Sequence, residues 1–172
     1  MNTNSFVIGD ASKCVGCRAC EVACFRAHSS KENANKPIFV GGKRIPIVTR
    51  IHVIKNEEFS VPIQCRHCEN APCANVCPVG AIKEIDNVII IDEKACIACK
   101  ACVMACPFGA VEVGSEAEDS AKFAYKCDLC KEQDTQACVK ICPKKALRLI
   151  NPLEEKEKRS IEAAINLGIF KK

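Results

Sequence analysis

Sixteen of the 172 residues are cysteine, and they fall into four groups of four. The groups are Cys14, Cys17, Cys20, Cys24; Cys65, Cys68, Cys73, Cys77; Cys96, Cys99, Cys102, Cys106; and Cys127, Cys130, Cys138, Cys142. Groups one and three follow C-x2-C-x2-C-x3-C, group two C-x2-C-x4-C-x3-C, and group four C-x2-C-x7-C-x3-C. Groups two, three and four begin at positions 65, 96 and 127, so each starts 31 residues after the last. That is an internal repeat, and it carries its own tail: CPVGAIKEI from Cys77, CPFGAVEVG from Cys106 and CPKKALRLI from Cys142. Group one departs from it, with Phe25 where the others place Pro.

Cysteine also supplies 16 of the residues behind the 48% hydrophobic content, and the chain has no Trp and one Tyr. What remains is a thin core for this length, so a group held by the thiols must help to hold the fold together. Length alone permits one domain or two small ones. Met1 to Lys13 has neither a basic start nor an apolar stretch, so no secretory signal is expected. No run approaches the ~18 apolar residues of a membrane span. A cytoplasmic location follows as the expectation, and with it thiols that bind metal rather than pair as disulfides.

Three cysteines at i, i+3 and i+6 can turn their sulfurs toward one compact inorganic core, while the next points to a second. This is the iron–sulfur run of two-cluster ferredoxins, in which the fourth cysteine serves the other cluster. Structural zinc prefers two close pairs separated by a long spacer. Groups two and three are nearest, with 18 residues between Cys77 and Cys96, and so are expected to form one module closed in by groups one and four. On this nested arrangement Cys65, Cys68, Cys73 and Cys106 hold one cluster, and Cys96, Cys99, Cys102 and Cys77 the next. Cys14, Cys17, Cys20 and Cys142 hold a third, and Cys127, Cys130, Cys138 and Cys24 the fourth. Spacing alone also permits pairing one with two and three with four. Four clusters of about −2 each would take the formal charge from +4 to roughly −4, so mild basicity is no argument for nucleic acid.

The tails predict a helical turn around each last cysteine, stopped by Pro, then a strand. Strands are expected at 81–85, 88–92, 110–113 and 146–150, with 6–10 and 123–127 leading into groups one and four. Between groups one and two, 38–40 and 43–48 about Gly41-Gly42 predict a hairpin. Residues 50–55 and 59–64, joined by Asn56-Glu57-Glu58, predict a second. Loops are expected at 29–36 and 115–122. Beyond Pro152 a helix with Ile161, Ala164, Ile165 and Ile169 on one face is expected to fold back on its own domain, the alternative being docking or self-assembly.

FVIGDASKCVGCRACEVAC, RIHVI, CRHCENAPCANVCPVGAI, CIACKACVMACPFGA and KCDLC resemble the four-cluster ferredoxin-type subunits of bacterial molybdenum or tungsten oxidoreductases. That family includes subunits of formate dehydrogenases, formate hydrogenlyase, hydrogen-dependent carbon dioxide reductase and dimethyl sulfoxide reductase. The resemblance covers about residues 4 to 150. It implies an α+β fold of two ferredoxin-like units, one nested in the other: 1–57 with 120–150 outside, 58–119 inside, and 151–172 as a helical extension. It also implies four [4Fe–4S] clusters, supports the nested pairing, and implies a formate dehydrogenase-type or hydrogenase subunit, or other ferredoxin-type subunits, as partners.

Arg18, Lys100 and Lys131 lie near ligands, where positive charge would favour the reduced cluster. Gly16, Ala19, Ala98, Ala101 and Ala105 are small enough to let backbone N–H groups approach sulfur. His67 reads as a supporting or exposed side chain, and His28 and His52 have no obvious catalytic company. There is no G-x-G-x-x-G, P-loop or G-x-S-x-G. The expectation is therefore an electron-transfer subunit with no substrate site of its own. An assembly or scaffold protein, or a freely diffusing polyferredoxin, are the rivals.

Overall fold

The computed structural model describes residues 3–29, 39–40, 43–44, 47–115 and 121–168. Its strands pair in five two-stranded antiparallel sheets. β1 (Phe6–Gly9) meets β10 (Leu147–Ile150), with Phe6 opposite Ile150, so the two ends of the repeat region are hydrogen-bonded together. β2 (Phe39–Val40) pairs with β3 (Lys43–Arg44) in the expected hairpin, whose turn lies outside the described residues. β4 (Ile51–Lys55) pairs with β5 (Ser60–Gln64), and their turn is closed by Asn56, whose Oδ1 accepts from the N–H groups of Glu58 and Phe59. β6 (Ile82–Ile85) pairs with β7 (Val88–Ile91), and β8 (Glu112–Gly114) with β9 (Phe123–Tyr125). Of the two expected loops, 30–36 and 116–120 lie outside the described residues.

The helices around the cysteines are short for a local reason. α2 (Pro72–Asn75), α3 (Ala101–Ala105) and α4 (Ala137–Ile141) close one or two residues before Cys77, Cys106 and Cys142 rather than around them. The prolines that follow, Pro78, Pro107 and Pro143, push the preceding residue out of helical backbone. Phe25 imposes no such stop, and α1 (Ala19–His28) runs on with Cys24 inside it.

α1 packs against α4 and α2 against α3, which gives the molecule two separate cores. One gathers Val7, Ile51, Val53 and Leu147 around Cys20, Cys24 and Cys138. The other gathers Ile82, Ile89, Val111 and Ala124 around Cys73 and Cys102. The expected module boundaries do not separate the sheets, however. β4–β5 and β8–β9 each take one strand from either side, and β1 also packs on β5. At that last contact Gly9 is required: a Cβ there would lie 2.6 Å from Cγ of Pro62. His52 of β4 and Tyr125 of β9 both bond the Glu112 carboxylate of β8, at 3.0 and 2.8 Å, which stitches the same boundary.

α5 (Pro152–Asn166) corrects one expectation. It begins as predicted, with Pro152 in its first turn and the Asn151 side chain accepting from Leu153 N–H at 3.1 Å. It does not fold back, for it has no buried residue, and Ile161 and Ile165 stand exposed. Three apolar positions make too narrow a stripe to draw in a helix otherwise dense in Glu, Lys and Arg. Ile169 lies outside the described residues. No helix among the described residues is long and apolar enough to cross a membrane.

Candidate metal centres

The repeat is visible in the backbone before it is visible in the side chains. Gly16, His67, Ala98 and Leu129 each precede the second cysteine of a group, and all four have positive φ, at 69°, 47°, 54° and 60°. For the three that are not glycine this conformation costs on the order of 1–2 kcal/mol each. It bends each C-x2-C into a turn whose N–H groups face sulfur. His67 N–H donates to Cys65 Sγ at 3.3 Å, and Ala98 N–H to Cys96 Sγ at 3.4 Å.

The last cysteine of each group is served differently. Ala81, Ala110 and Ala146 donate their N–H to Cys77, Cys106 and Cys142 Sγ, each four residues back, at 3.3, 3.4 and 3.2 Å. The C-P-x-x-A tail is therefore an amide cradle. Group one has no such tail, because α1 continues through it. Cys24 Sγ instead accepts from Arg50 N–H at 3.3 Å, and His28 Nδ1 lies 3.7 Å from it, one helical turn on. The segment between groups one and two thus returns a backbone donor that the missing proline removed. Ala124 N–H adds a second donor to Cys96 Sγ at 3.3 Å.

Two cavities each gather four thiols, one of which comes from another group. Cys14, Cys17, Cys20 and Cys142 line one cavity with about 360 Å³ of atom-free space, part of it open to solvent. Cys77, Cys96, Cys99 and Cys102 line another of about 330 Å³. Burial pushes the Cys73 thiol up to about 11, and the nearby Cys65 and Cys106 sulfurs add to this. Burial raises Cys138 to about 12, with Cys24 and Cys130 beside it, and raises Cys127 further still, next to Cys138 and Cys24. Cys20 is likewise pushed to about 12 by burial. At Cys77 desolvation pushes up, but the N–H groups of Ala81, Val79, Ile82 and Gly80 outweigh it and hold the thiol below its ordinary value. Cys17 and Cys99 are exposed; the other fourteen cysteines are buried or half-buried.

This donor set fits an iron–sulfur cluster. Buried thiols give up their protons when a metal takes the sulfur's charge, and the oriented amides then stabilise the thiolates. Among the described residues no three Cys, His, Asp or Glu side chains converge closely enough for a single ion. The sulfurs instead surround apolar-walled space, as a multi-atom core requires.

The cations singled out in the sequence stand in solvent: Arg18, Lys100 and Lys131 are exposed. Lys126, immediately before group four, was not among them and is 3% exposed. His67 is 1% exposed rather than superficial. Its Nδ1 accepts from Ile89 N–H at 3.1 Å, and its Nε2 is buried without a hydrogen-bond partner in the chain. Burial, and then the charge of Lys126, hold its imidazole down at about 3, so the ring is neutral. His28 sits in an ion-pair network. Its Nε2 lies 2.9 Å from Asp128 Oδ1, while Arg50 Nη1 reaches Asp128 Oδ2 at 2.6 Å. These contacts join residues 100 and 78 positions apart, and no local spacing announces them.

Comparison with known proteins accounts for most of the chain. The family described as 4Fe-4S dicluster domain matches residues 57–151, and a 4Fe-4S binding domain matches residues 11–24. Electron transport protein HydN of Escherichia coli (strain K12) is 44% identical over 166 residues, covering 88% of this chain and 92% of that protein. Formate hydrogenlyase subunit 2 of the same organism is 35% identical over 200 residues, covering 96% and 93%. Among solved structures, the active site complex BamBC of benzoyl coenzyme A reductase aligns at 23% identity over 94% of this chain and 89% of that one, with a TM-score of 0.42. The sixteen cysteines, the family match and the two Escherichia coli relatives lead to one conclusion: the chain belongs to the 4Fe-4S dicluster family of ferredoxin-type electron-transfer proteins.

Proposed function

We propose that this chain is the wire subunit of a redox complex, relaying single electrons through four [4Fe–4S] clusters. One end would meet a formate dehydrogenase-type molybdenum or tungsten subunit and the other a hydrogenase or another redox subunit. Bound clusters supply the one-electron chemistry; the chain positions and insulates them and sets their surroundings. The ligand sets are Cys65, Cys68, Cys73, Cys106; Cys96, Cys99, Cys102, Cys77; Cys14, Cys17, Cys20, Cys142; and Cys127, Cys130, Cys138, Cys24.

The observation that carries this reading is the graded exposure of those sets. Exposed Cys17 and Cys99 belong to two different sets, and the two other sets have no exposed cysteine. Each exposed set shares a core with one covered set: Cys20 with Cys24 and Cys138, and Cys102 with Cys73. The covered sets adjoin each other, since the Cys127 thiol, raised first by burial, also feels Cys65. The implied order is end, middle, middle, end, with each end set within reach of a partner. The partner classes rest on the family resemblance read from the sequence, which the name of formate hydrogenlyase subunit 2 supports.

Anaerobic capture from native cells, with the co-purifying subunits identified by mass spectrometry, tests this. The expected result is a formate dehydrogenase-like or hydrogenase catalytic subunit in stoichiometric amount. Recovery of the chain alone would contradict an in-complex wire, and recovery of maturation factors alone would favour an assembly role.

A further inference from the structure

Two residues occupy the same place in the repeat and do the same mechanical work with different chemistry. Gln64 is the last residue before group two, and Lys126 the last before group four. Each side chain reaches across the boundary between the two cores to a backbone carbonyl: Gln64 Nε2 donates to Val7, and Lys126 Nζ to Ile89. A neutral amide is enough for the first strap. The second uses a cation, although burying one is costly unless it is paired.

No carboxylate does the pairing. Nζ spends its other resolved bond on the Cys127 carbonyl, at 3.0 Å. Four acidic groups line the same cavity. Asp128 pairs with His28 and Arg50, Glu93 with Arg50, and Asp92 accepts from the N–H groups of Lys94 and Ala95. Neither these nor Glu132 forms an ion pair with Lys126 among the described residues. What Lys126 does lie between is sulfur. Cys127 follows it in sequence. On the far side, Ile89, whose carbonyl it holds, donates its own N–H to His67, which sits between Cys65 and Cys68.

Resting on the four-cluster reading above, we propose that Lys126 sets the reduction potential at the middle of the wire: its buried ammonium favours the reduced state at both sites it separates. Each reduction takes one electron from the redox partner, or from dithionite in vitro, and adds one negative charge to a cluster. A fixed positive charge nearby, in a low-dielectric boundary, stabilises that added charge. Each of the two end sites has a ligand in solvent, Cys17 or Cys99, and solvent screens the effect there. The exposed Arg18, Lys100 and Lys131 have correspondingly little leverage.

The test compares Lys126→Gln, the residue the repeat itself uses at position 64, with Lys126→Met and Lys126→Arg. Iron and sulfide are quantified, and potentials are read by redox titration followed by electron paramagnetic resonance. In Lys126→Gln with full iron content, two of the four clusters should titrate lower. The expected shift is a tenfold or greater change in their reduced-to-oxidised ratio at fixed poise, about 59 mV for one electron. Lys126→Arg should return them toward wild type. Unmoved potentials in a fully loaded Lys126→Gln protein would overturn the proposal and leave Lys126 a strap. So would an equal shift of all four clusters. Loss of clusters from both neutral variants would assign Lys126 to assembly and overturn it as well. A wild-type protein without four reducible clusters would instead sink the underlying reading, before any variant is made.

Discussion

Lys145 occupies the place that Gly80 and Gly109 take in the other two C-P-x-x-A tails, and it adopts the same left-handed backbone, with φ of 48° against 60° and 59°. It is exposed, so nothing about its side chain compensates. Lys145→Gly should therefore stabilise the protein by about 1 kcal/mol, read by denaturant melts, with iron content unchanged. His28 gives a pH prediction. Burial opposes its protonation, but hydrogen bonds to Asp128 and Cys24 win and lift the imidazole from 6.5 to about 10. A folded-state value above the unfolded one means stability that is fully present below 6.5 and lost as the pH rises through about 10. Thermal unfolding across that window should show the loss in wild type, and His28→Gln should flatten the profile. At this scale the four cysteine groups were legible because spacing encodes them. Lys126, His67 and the His28–Asp128–Arg50 network were not, because their partners lie between 22 and 100 positions away along the chain.

At the scale of elements, strands were readable wherever a turn residue bounded an apolar run. The β4–β5 hairpin about Asn56 and the β6–β7 hairpin fall where the sequence puts them. Helix lengths were less so, since proline closes α2, α3 and α4 ahead of the last cysteine and its absence lets α1 run on. The fate of α5 was misread. A stripe of Ile161, Ala164 and Ile165 looks the same whether it is covered by its own domain or by nothing in the chain. Since α5 buries no residue, deleting residues 152–172 should leave cluster content intact. It should leave stability nearly unchanged, because the lost Arg148–Glu155 pair is a solvent-screened surface pair. A loss of iron, or a larger drop in stability, would show that the helix does cover its own domain.

The whole molecule reads as two small cores, each built around two sets of thiols and sewn together by shared sheets and two reciprocal straps. The cores are too small to stand without help from what the cysteines hold. This is why the cysteine groups and the 4Fe-4S family were legible together in the spacing, whereas the proposed order of the sites along the molecule draws on which cysteines reach solvent. The central claim is that all sixteen thiols serve four clusters that accept electrons. Iron and acid-labile sulfide on the anaerobically purified chain, followed by dithionite titration, test it most directly. The account predicts about 16 irons and 16 sulfides per chain, in four clusters that dithionite reduces one electron at a time. About half that content in a folded protein, or clusters that stay oxidised under dithionite, would contradict it.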